Sequence, residues 1–321
     1  TQVSMSPGAD ETQMNFAWYS KDGEETGLVY GTSSDLSDGQ NAQVTQTASQ
    51  EGYLSNKVTL NNLQPGVTYY YQVTGKEIES FTTDDDTSDF SFIFVGDPQI
   101  GSSNSAKDDS PEDMQTPEFL TAQSEAVRND SFNWNYTLNR AFAKTGNSAN
   151  FILSAGDQIQ TNYEDAEDTR ISEIEYAGYL SPDVMKSVPV ATTVGNHDAD
   201  NPNYTYHFNI ANMSDLGDNG YVGGDYYFTY GDALFMILNT QDTNVSEHKQ
   251  FIEETVAANQ DCKWRIVTLH QDIYGSAEHS NEPEITNLRY SLVPIFEEND
   301  VDIVLTGHDH AYSRTKMLQG G

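Results

Sequence analysis

The sequence predicts two parts of different class: an all-β sandwich over residues 1–83 and an α/β domain over residues 90–321, with an acidic linker at 84–89. Three observations carry this division. Short strand-like runs separated by Gly, Pro and Asn turns fill the first part. In the second, apolar runs alternate with segments of helical spacing. Between them, Asp84-Asp85-Asp86-Thr87-Ser88-Asp89 is charged and has no apolar periodicity.

Along the first part, Asn15-Phe16-Ala17-Trp18-Tyr19 predicts a strand with a buried tryptophan, and residues 27–31 and 57–60 predict two more. The stretch Leu63-Gln64-Pro65-Gly66 reads as a turn, and Val67-Thr68-Tyr69-Tyr70-Tyr71-Gln72-Val73 as a strand alternating between its faces. In the second part, residues 101–118 are rich in Ser, Asp and Pro and predict a polar loop. Residues 132–145 and 246–258 carry apolar residues at helical spacing, and residues 226–237 read as a hairpin leading into a buried strand. His248, at a helix start, is expected to be solvated, and His207 to be a packing residue.

The chain carries 50 acidic and 15 basic residues, a formal charge of −35. Such a balance excludes nucleic-acid binding through a basic patch. An anionic membrane face is excluded for the same reason, and no run of apolar residues is long enough to span a bilayer. An anionic substrate would be repelled unless bound cations inverted the local sign. The single cysteine, Cys262, cannot form an internal disulfide. Oligomeric state stays open.

The chemistry is carried by five strand ends. Phe92-Ile93-Phe94-Val95 runs into Gly96-Asp97, and Phe151-Ile152-Leu153-Ser154-Ala155 into Gly156-Asp157. The run from Val188 to Val194 leads into Gly195-Asn196-His197-Asp198. Trp264 to Leu269 ends on His270, and Val301 to Leu305 precedes Gly307-His308-Asp309-His310. Imidazole and carboxylate are common metal ligands, and a strand end aims them rigidly. Of seven histidines, His197, His270, His308 and His310 fall at these ends. Each aspartate alone would read as a loop or cap residue; the set reads as a metal site.

In chain order the blocks are GD, GD, GNHD, VxxH and GHxH. This series resembles the calcineurin-like metallophosphoesterases, and within them the purple acid phosphatases. The segment Leu63 to Tyr71 (Leu-x-Pro-Gly-x-x-Tyr-x-Tyr) resembles the tyrosine-corner region of fibronectin type III domains, a module that precedes the catalytic domain in many such enzymes. The resemblance implies a four-layer αββα sandwich with its ligands on loops along one edge. That family continues with further strands past the last motif, so the sandwich is expected to lack its C-terminal strands.

The resemblance also implies a centre of two metal ions that hydrolyses a small phosphate ester by in-line attack of a metal-bound hydroxide. Asp157 would bridge the ions, Asp97 and His310 would complete one position, and Asn196, His270 and His308 the other. His197 would contact the phosphate, Asp198 would orient its ring, and His279 would be a further acid for the leaving group. The tyrosine that gives the purple enzymes their colour is replaced by Gln160, and Tyr163 lies three residues too far on. Gln99 stands where many relatives have a metal-binding histidine. The metals are therefore left open among Fe, Zn and Mn. A phosphomonoesterase of the acid phosphatase kind is expected. The alternatives are a phosphodiesterase or nucleotidase on the same site, or a non-catalytic cell-surface binding protein with a phosphoesterase shell. A secreted or cell-surface location, in a bacterial source, completes the expectation.

Overall fold

The computed structural model describes residues 2–50, 52–106, 110–161, 170–200 and 202–318. The N-terminal part consists of two four-stranded antiparallel sheets. One contains β1 (Val3–Pro7), β2 (Met14–Lys21), β5 (Thr45–Ala48) and β6 (Tyr53–Leu60) in the order β1-β2-β6-β5. The other contains β3 (Leu28–Gly31), β4 (Gln40–Asn41), β7 (Thr68–Val73) and β8 (Glu79–Thr82) in the order β4-β3-β7-β8. Phe16, Trp18, Val58, Tyr71 and Phe81 meet in the core of these sheets. Strand β2 is buried on both faces over Met14–Ser20, because Tyr19 on its outer face turns to the second part of the chain. The hydroxyl of Tyr69 accepts the backbone N–H of Gln64 at 2.9 Å and pins the turn before β7.

The second part has two sheets. Strands β9 (Phe92–Val95), β10 (Phe151–Ser154) and β11 (Val190–Thr192) are parallel, in the order β11-β10-β9. Strands β12 (Tyr226–Tyr230) and β13 (Ala233–Ile237) form an antiparallel hairpin, and β14 (Trp264–Thr268) and β15 (Ile303–Leu305) continue parallel to β13. The helices are α1 (Pro111–Met114), α2 (Pro117–Lys144), α3 (Arg170–Tyr179), α4 (Asn203–His207), α5 (Val245–Ala258) and α6 (Pro283–Glu298).

Successive residues of the buried strands enter different cores, which is why these strands read as unbroken apolar runs. Ile152 of β10 packs with Val127, Trp134 and Leu138 of α2 and with Tyr176 of α3. Phe151 and Leu153 pack instead with Phe228, Phe235 and Ile266 of the other sheet. Leu234 and Met236 of β13 join Phe251 and Ile252 of α5 and Leu292 and Phe296 of α6.

Two expectations are corrected here. The polar loop expected over 101–118 holds over 101–106 but gives way to helix at Pro111–Met114 and again from Pro117: Thr116 caps α2 by accepting the Phe119 N–H at 3.2 Å, and Pro117 opens it, so α2 begins well before residue 132. Its long polar face hid the pattern. Residues 107–109 lie outside the described residues. His248 is fully buried rather than solvated. Its Nδ1 lies 2.8 Å from Asp225 Oδ2 and its Nε2 2.9 Å from the Asp242 carbonyl. Burial drives Asp225 up from the ordinary carboxylate range, and the pairing holds His248 above its ordinary value despite burial. His207 is a packing residue, as expected, set between the rings of Tyr19 and Tyr176 with Nε2 3.0 Å from Glu173.

Truncating one partner of a buried pair leaves the other charge without compensation. His248→Ala is expected to lower unfolding free energy by about 3–5 kcal/mol in urea titrations. A loss under about 1 kcal/mol, the range of an exposed pair, would contradict the burial argument.

Candidate metal centre

The carboxyl ends of β9, β10, β11, β14 and β15 converge, placing the five motif loops side by side. Ligand sites form at such ends in parallel sheets. The loops after β9 and β10 run on together: Asp97 N–H donates to the Gly156 carbonyl at 3.1 Å and Gln99 N–H to the Asp157 carbonyl at 3.0 Å. Glycine is required beside the functional groups. A Cβ on Gly195 would overlap Asp157 Oδ1, and one on Gly307 would lie 2.6 Å from Asp97 Oδ2.

The backbone is strained at the same places. Asp97, Asp157, His308 and His310 have φ of 54°, 50°, 70° and 50°, in the left-handed region that disfavours side chains. Hydrogen bonds hold them there. His308 N–H donates to Asp97 Oδ1 at 2.9 Å, and Asp157 Oδ1 accepts the His197 N–H at 2.9 Å.

His270 is the centre of the cluster and is fully buried. Its Nδ1 lies 2.8 Å from the Ala155 carbonyl, a contact that requires the proton on Nδ1. In the neutral ring, Nε2 then presents a lone pair to two acceptor oxygens, Asp157 Oδ2 at 3.3 Å and Asn196 Oδ1 at 3.0 Å, and stands 3.1 Å from His308 Nδ1, whose role depends on which of its nitrogens carries the proton. Lone pairs facing one another call for a positive charge, either a proton or a metal ion. Asp157, His270 and His308 offer ligand atoms within 4.8 Å of one another, so a two-imidazole, one-carboxylate set fits a metal ion. Asp97 adds a second carboxylate, with His310 Nε2 3.6 Å from its Oδ1 on the half-exposed side.

The local charges push the groups in opposite directions. Burial raises Asp97, with the Asp157 charge adding to it. Burial also pushes Asp157 upward, but the facing His270 charge and its hydrogen bond outweigh this and hold it below the ordinary range. Burial lowers His270, yet Asp157 and Asp97 bring it up to about 9. His308 is pushed down to about 4 by burial and by its neighbours His270 and His279.

The remaining sequence candidates divide. His197 Nδ1 lies 2.5 Å from the Gln160 carbonyl, beside Asp157. Asp198 does not reach that ring, contrary to expectation. It is fully buried and accepts N–H groups of Gly195 at 3.0 Å and Gln158 at 3.3 Å and the Tyr176 hydroxyl at 3.2 Å. The carboxylate thus ties down the loop after β11, while the Gln160 backbone orients the imidazole. Gln99 contributes its backbone to the loop pairing. His279 lies next to His308, ring centres 4.4 Å apart, with Nδ1 2.8 Å from Glu282. Tyr163 lies outside the described residues.

Two supporting residues escaped the sequence reading. Asp309, between the paired histidines, accepts the N–H groups of Ala277 at 2.7 Å and His279 at 2.9 Å. Glu175 of α3 is fully buried and accepts the N–H groups of Gln160 at 3.2 Å and Thr161 at 2.8 Å. Asp309 was visible as the middle of H-D-H, whereas Glu175 has no motif.

Nitrogen and carboxylate donors at the carboxyl edge of one parallel and one mixed sheet define a candidate metal site in an α/β domain. Residues 90–312 match the family model for calcineurin-like phosphoesterase, and residues 1–90 that for the purple acid phosphatase N-terminal domain. The chain belongs to the calcineurin-like phosphoesterase family, with a β-rich purple acid phosphatase N-terminal domain ahead of it. Among its relatives, probable purple acid phosphatase 20 of Arabidopsis thaliana is 24% identical over 94% of this chain and 66% of its own length. Purple acid phosphatase 4 of the same plant is 27% identical over 53% of this chain and 55% of its own. The chain thus spans between about half and two thirds of these curated relatives.

Burial raises the Glu175 carboxyl to about 8, against the pull of the N–H and hydroxyl groups of Thr161. The folded protein therefore keeps a proton that the unfolded chain releases near pH 4.5, so the contribution of Glu175 to stability is full below that pH and is lost as pH rises towards 8. Urea titrations across this range should give a shallower decline for Glu175→Gln than for the wild type. Parallel profiles would show that Glu175 does not carry the dependence.

Proposed function

We propose that this chain hydrolyses phosphate esters at a centre of two metal ions. The single observation behind the reading is the convergence at His270 Nε2, where the acceptor oxygens of Asp157 and Asn196 and the Nδ1 of His308 all lie within 3.3 Å. Asn196, His270 and His308 would hold one ion, Asp97 and His310 the other, and Asp157 both. Such a pair supplies a nucleophile from water and neutralises phosphoryl charge. Zn, Mn and Fe all suit the donor set.

The chain's own residues do the rest. With Nδ1 engaged by the Gln160 carbonyl, His197 keeps Nε2 for the phosphate. His279 is raised above its ordinary value by its hydrogen bond to Glu282, so it stays protonated to higher pH and can give a proton to the leaving alcohol. Asp198 positions the loop that carries Asn196 and His197. Small phosphomonoesters are the first substrate class, ahead of diesters and nucleotides.

The same reading divides the chain into a fibronectin type III-like module over 1–83, a linker over 84–89 and a phosphoesterase domain from residue 90. The Tyr69–Gln64 hydrogen bond supports the first assignment. The three apolar cores around two sheets support a four-layer αββα arrangement for the last. Among the described residues no helix is long and apolar enough to cross a membrane, which is compatible with a secreted protein.

Elemental analysis and hydrolysis of p-nitrophenyl phosphate and its bis-ester test the proposal. The wild type should hold about two metal ions per chain and prefer the monoester, and Asp157→Ala should lose metal and turnover together. His197→Ala should keep its metal while kcat falls about 100-fold or more. A wild type that takes up no zinc, manganese or iron and cleaves neither ester would overturn it.

A further inference from the structure

Beyond the donor group described above, His279, Glu282 and His308 offer ligand atoms that lie within 4.8 Å of one another. We propose that these three residues form an additional binding site for a divalent transition ion such as zinc, on the outer lip of the cleft. Two imidazoles and one carboxylate are the donor set zinc favours, and a three-ligand site keeps a position open for water.

The geometry is prepared by the chain itself. His279–Asn281 is a single 3-10 turn, in which residues three apart stack on the same side. His279 Nδ1 and Glu282 Oε1 are accordingly 2.8 Å apart, a separation that one ion can span with both as ligands. Asp309 holds the backbone of the turn through the N–H groups of Ala277 and His279. From the far side, Arg289 Nη2 donates to the Ser280 carbonyl at 2.7 Å. Little ordering is left for the ion to impose on the backbone.

His308 joins the two groups. Its Nδ1 lies 3.1 Å from His270 Nε2, on the inner side, while its ring stands 4.4 Å from that of His279. Nε2 is the nitrogen left for the outer ion; with the inner ion on Nδ1 it carries the ring proton, which must pass to solvent as the outer ion binds, leaving an imidazolate shared by the two ions. His279 and Glu282 are both about half exposed, so the ion exchanges with solvent more readily than one bound at buried Asp157 and His270. Occupancy takes the His279 lone pair that would otherwise carry a proton. Excess zinc should therefore inhibit, and this consequence alone rests on the phosphoesterase reading.

Zinc titration of the metal-stripped full chain, followed by calorimetry, tests the site directly. The wild type should show a final, weaker binding step that Glu282→Gln loses, since glutamine keeps a hydrogen bond to His279 but removes the anionic ligand. With p-nitrophenyl phosphate, the zinc concentration that inhibits should rise about tenfold or more in Glu282→Gln. Identical zinc stoichiometry and affinity in the two proteins would overturn the outer site while leaving the phosphoesterase proposal intact. Retention of every binding step in Asp157→Ala would instead count against the inner centre.

Discussion

The 2.8 Å hydrogen bond between His270 Nδ1 and the Ala155 carbonyl is the interaction on which the cleft depends. Ala155 follows β10 in one sheet, and His270 follows β14 in the other. The bond therefore closes the gap between the two sheets at their carboxyl edge. It also decides which nitrogen of His270 carries the proton, and so which one faces Asp157, Asn196 and His308. An outer partner fixing the tautomer of a ligand histidine is the usual second half of a metal site. Beneath this bond, the aromatic core sets the spacing: Phe151 meets Phe235 edge-on at 5.2 Å, and Phe235 stacks on Phe228 at 4.8 Å. A change in that layer would move the donors of one sheet relative to those of the other.

Holding four polar residues in left-handed backbone is costly, at roughly 1–2 kcal/mol each. The surrounding structure offsets this with carboxylates that accept backbone N–H groups. Asp97 takes the His308 N–H, Asp157 the His197 N–H, Asp198 those of Gly195 and Gln158, and Asp309 those of Ala277 and His279. A share of the chain's acidity is thus buried and structural, distinct from the solvated charge that dominates the formal −35. Charge-assisted bonds of this kind are stronger than neutral ones, so they suit loops that must keep an unfavourable conformation.

The sequence was legible where strand periodicity and donor chemistry coincide. An apolar run that ends on Asp, Asn or His identifies both the strand and what it presents; β9, β10, β11 and β15 place a glycine before the donor, and β14 runs directly into His270. The hairpin of β12 and β13 and helix α5 were equally readable from periodicity. What stayed hidden depends on partners distant in the chain. His248 looks solvated at a helix start until Asp225 is placed 2.8 Å away by the hairpin. Asp198 adjoins His197 in sequence but points into the domain, because the turn at Gly195 and the Tyr176 hydroxyl claim its carboxylate. Glu175 serves two backbone N–H groups in a loop, and no residue pattern records such a role.

The N-terminal module reaches the cleft through α3. Glu173, on one side of that helix, accepts the Tyr19 hydroxyl of β2 at 2.8 Å and lies 3.0 Å from His207. Glu175 and Tyr176, further along the same helix, hold the loop after Asp157 and the carboxylate of Asp198. That loop supplies the Gln160 carbonyl on which the His197 ring rests. A displacement of α3 would therefore be felt at His197 through two hydrogen-bonded steps; α3 itself packs on α2 and α4, α4 lies against β2, and the Tyr19–Glu173 bond ties α3 to the N-terminal module. Burial of β2 on both faces follows from this arrangement. The outer surface of β2 is thus an interface with α4, which accounts for Tyr19 packed against His207 of that helix where a free-standing β-sandwich would face water.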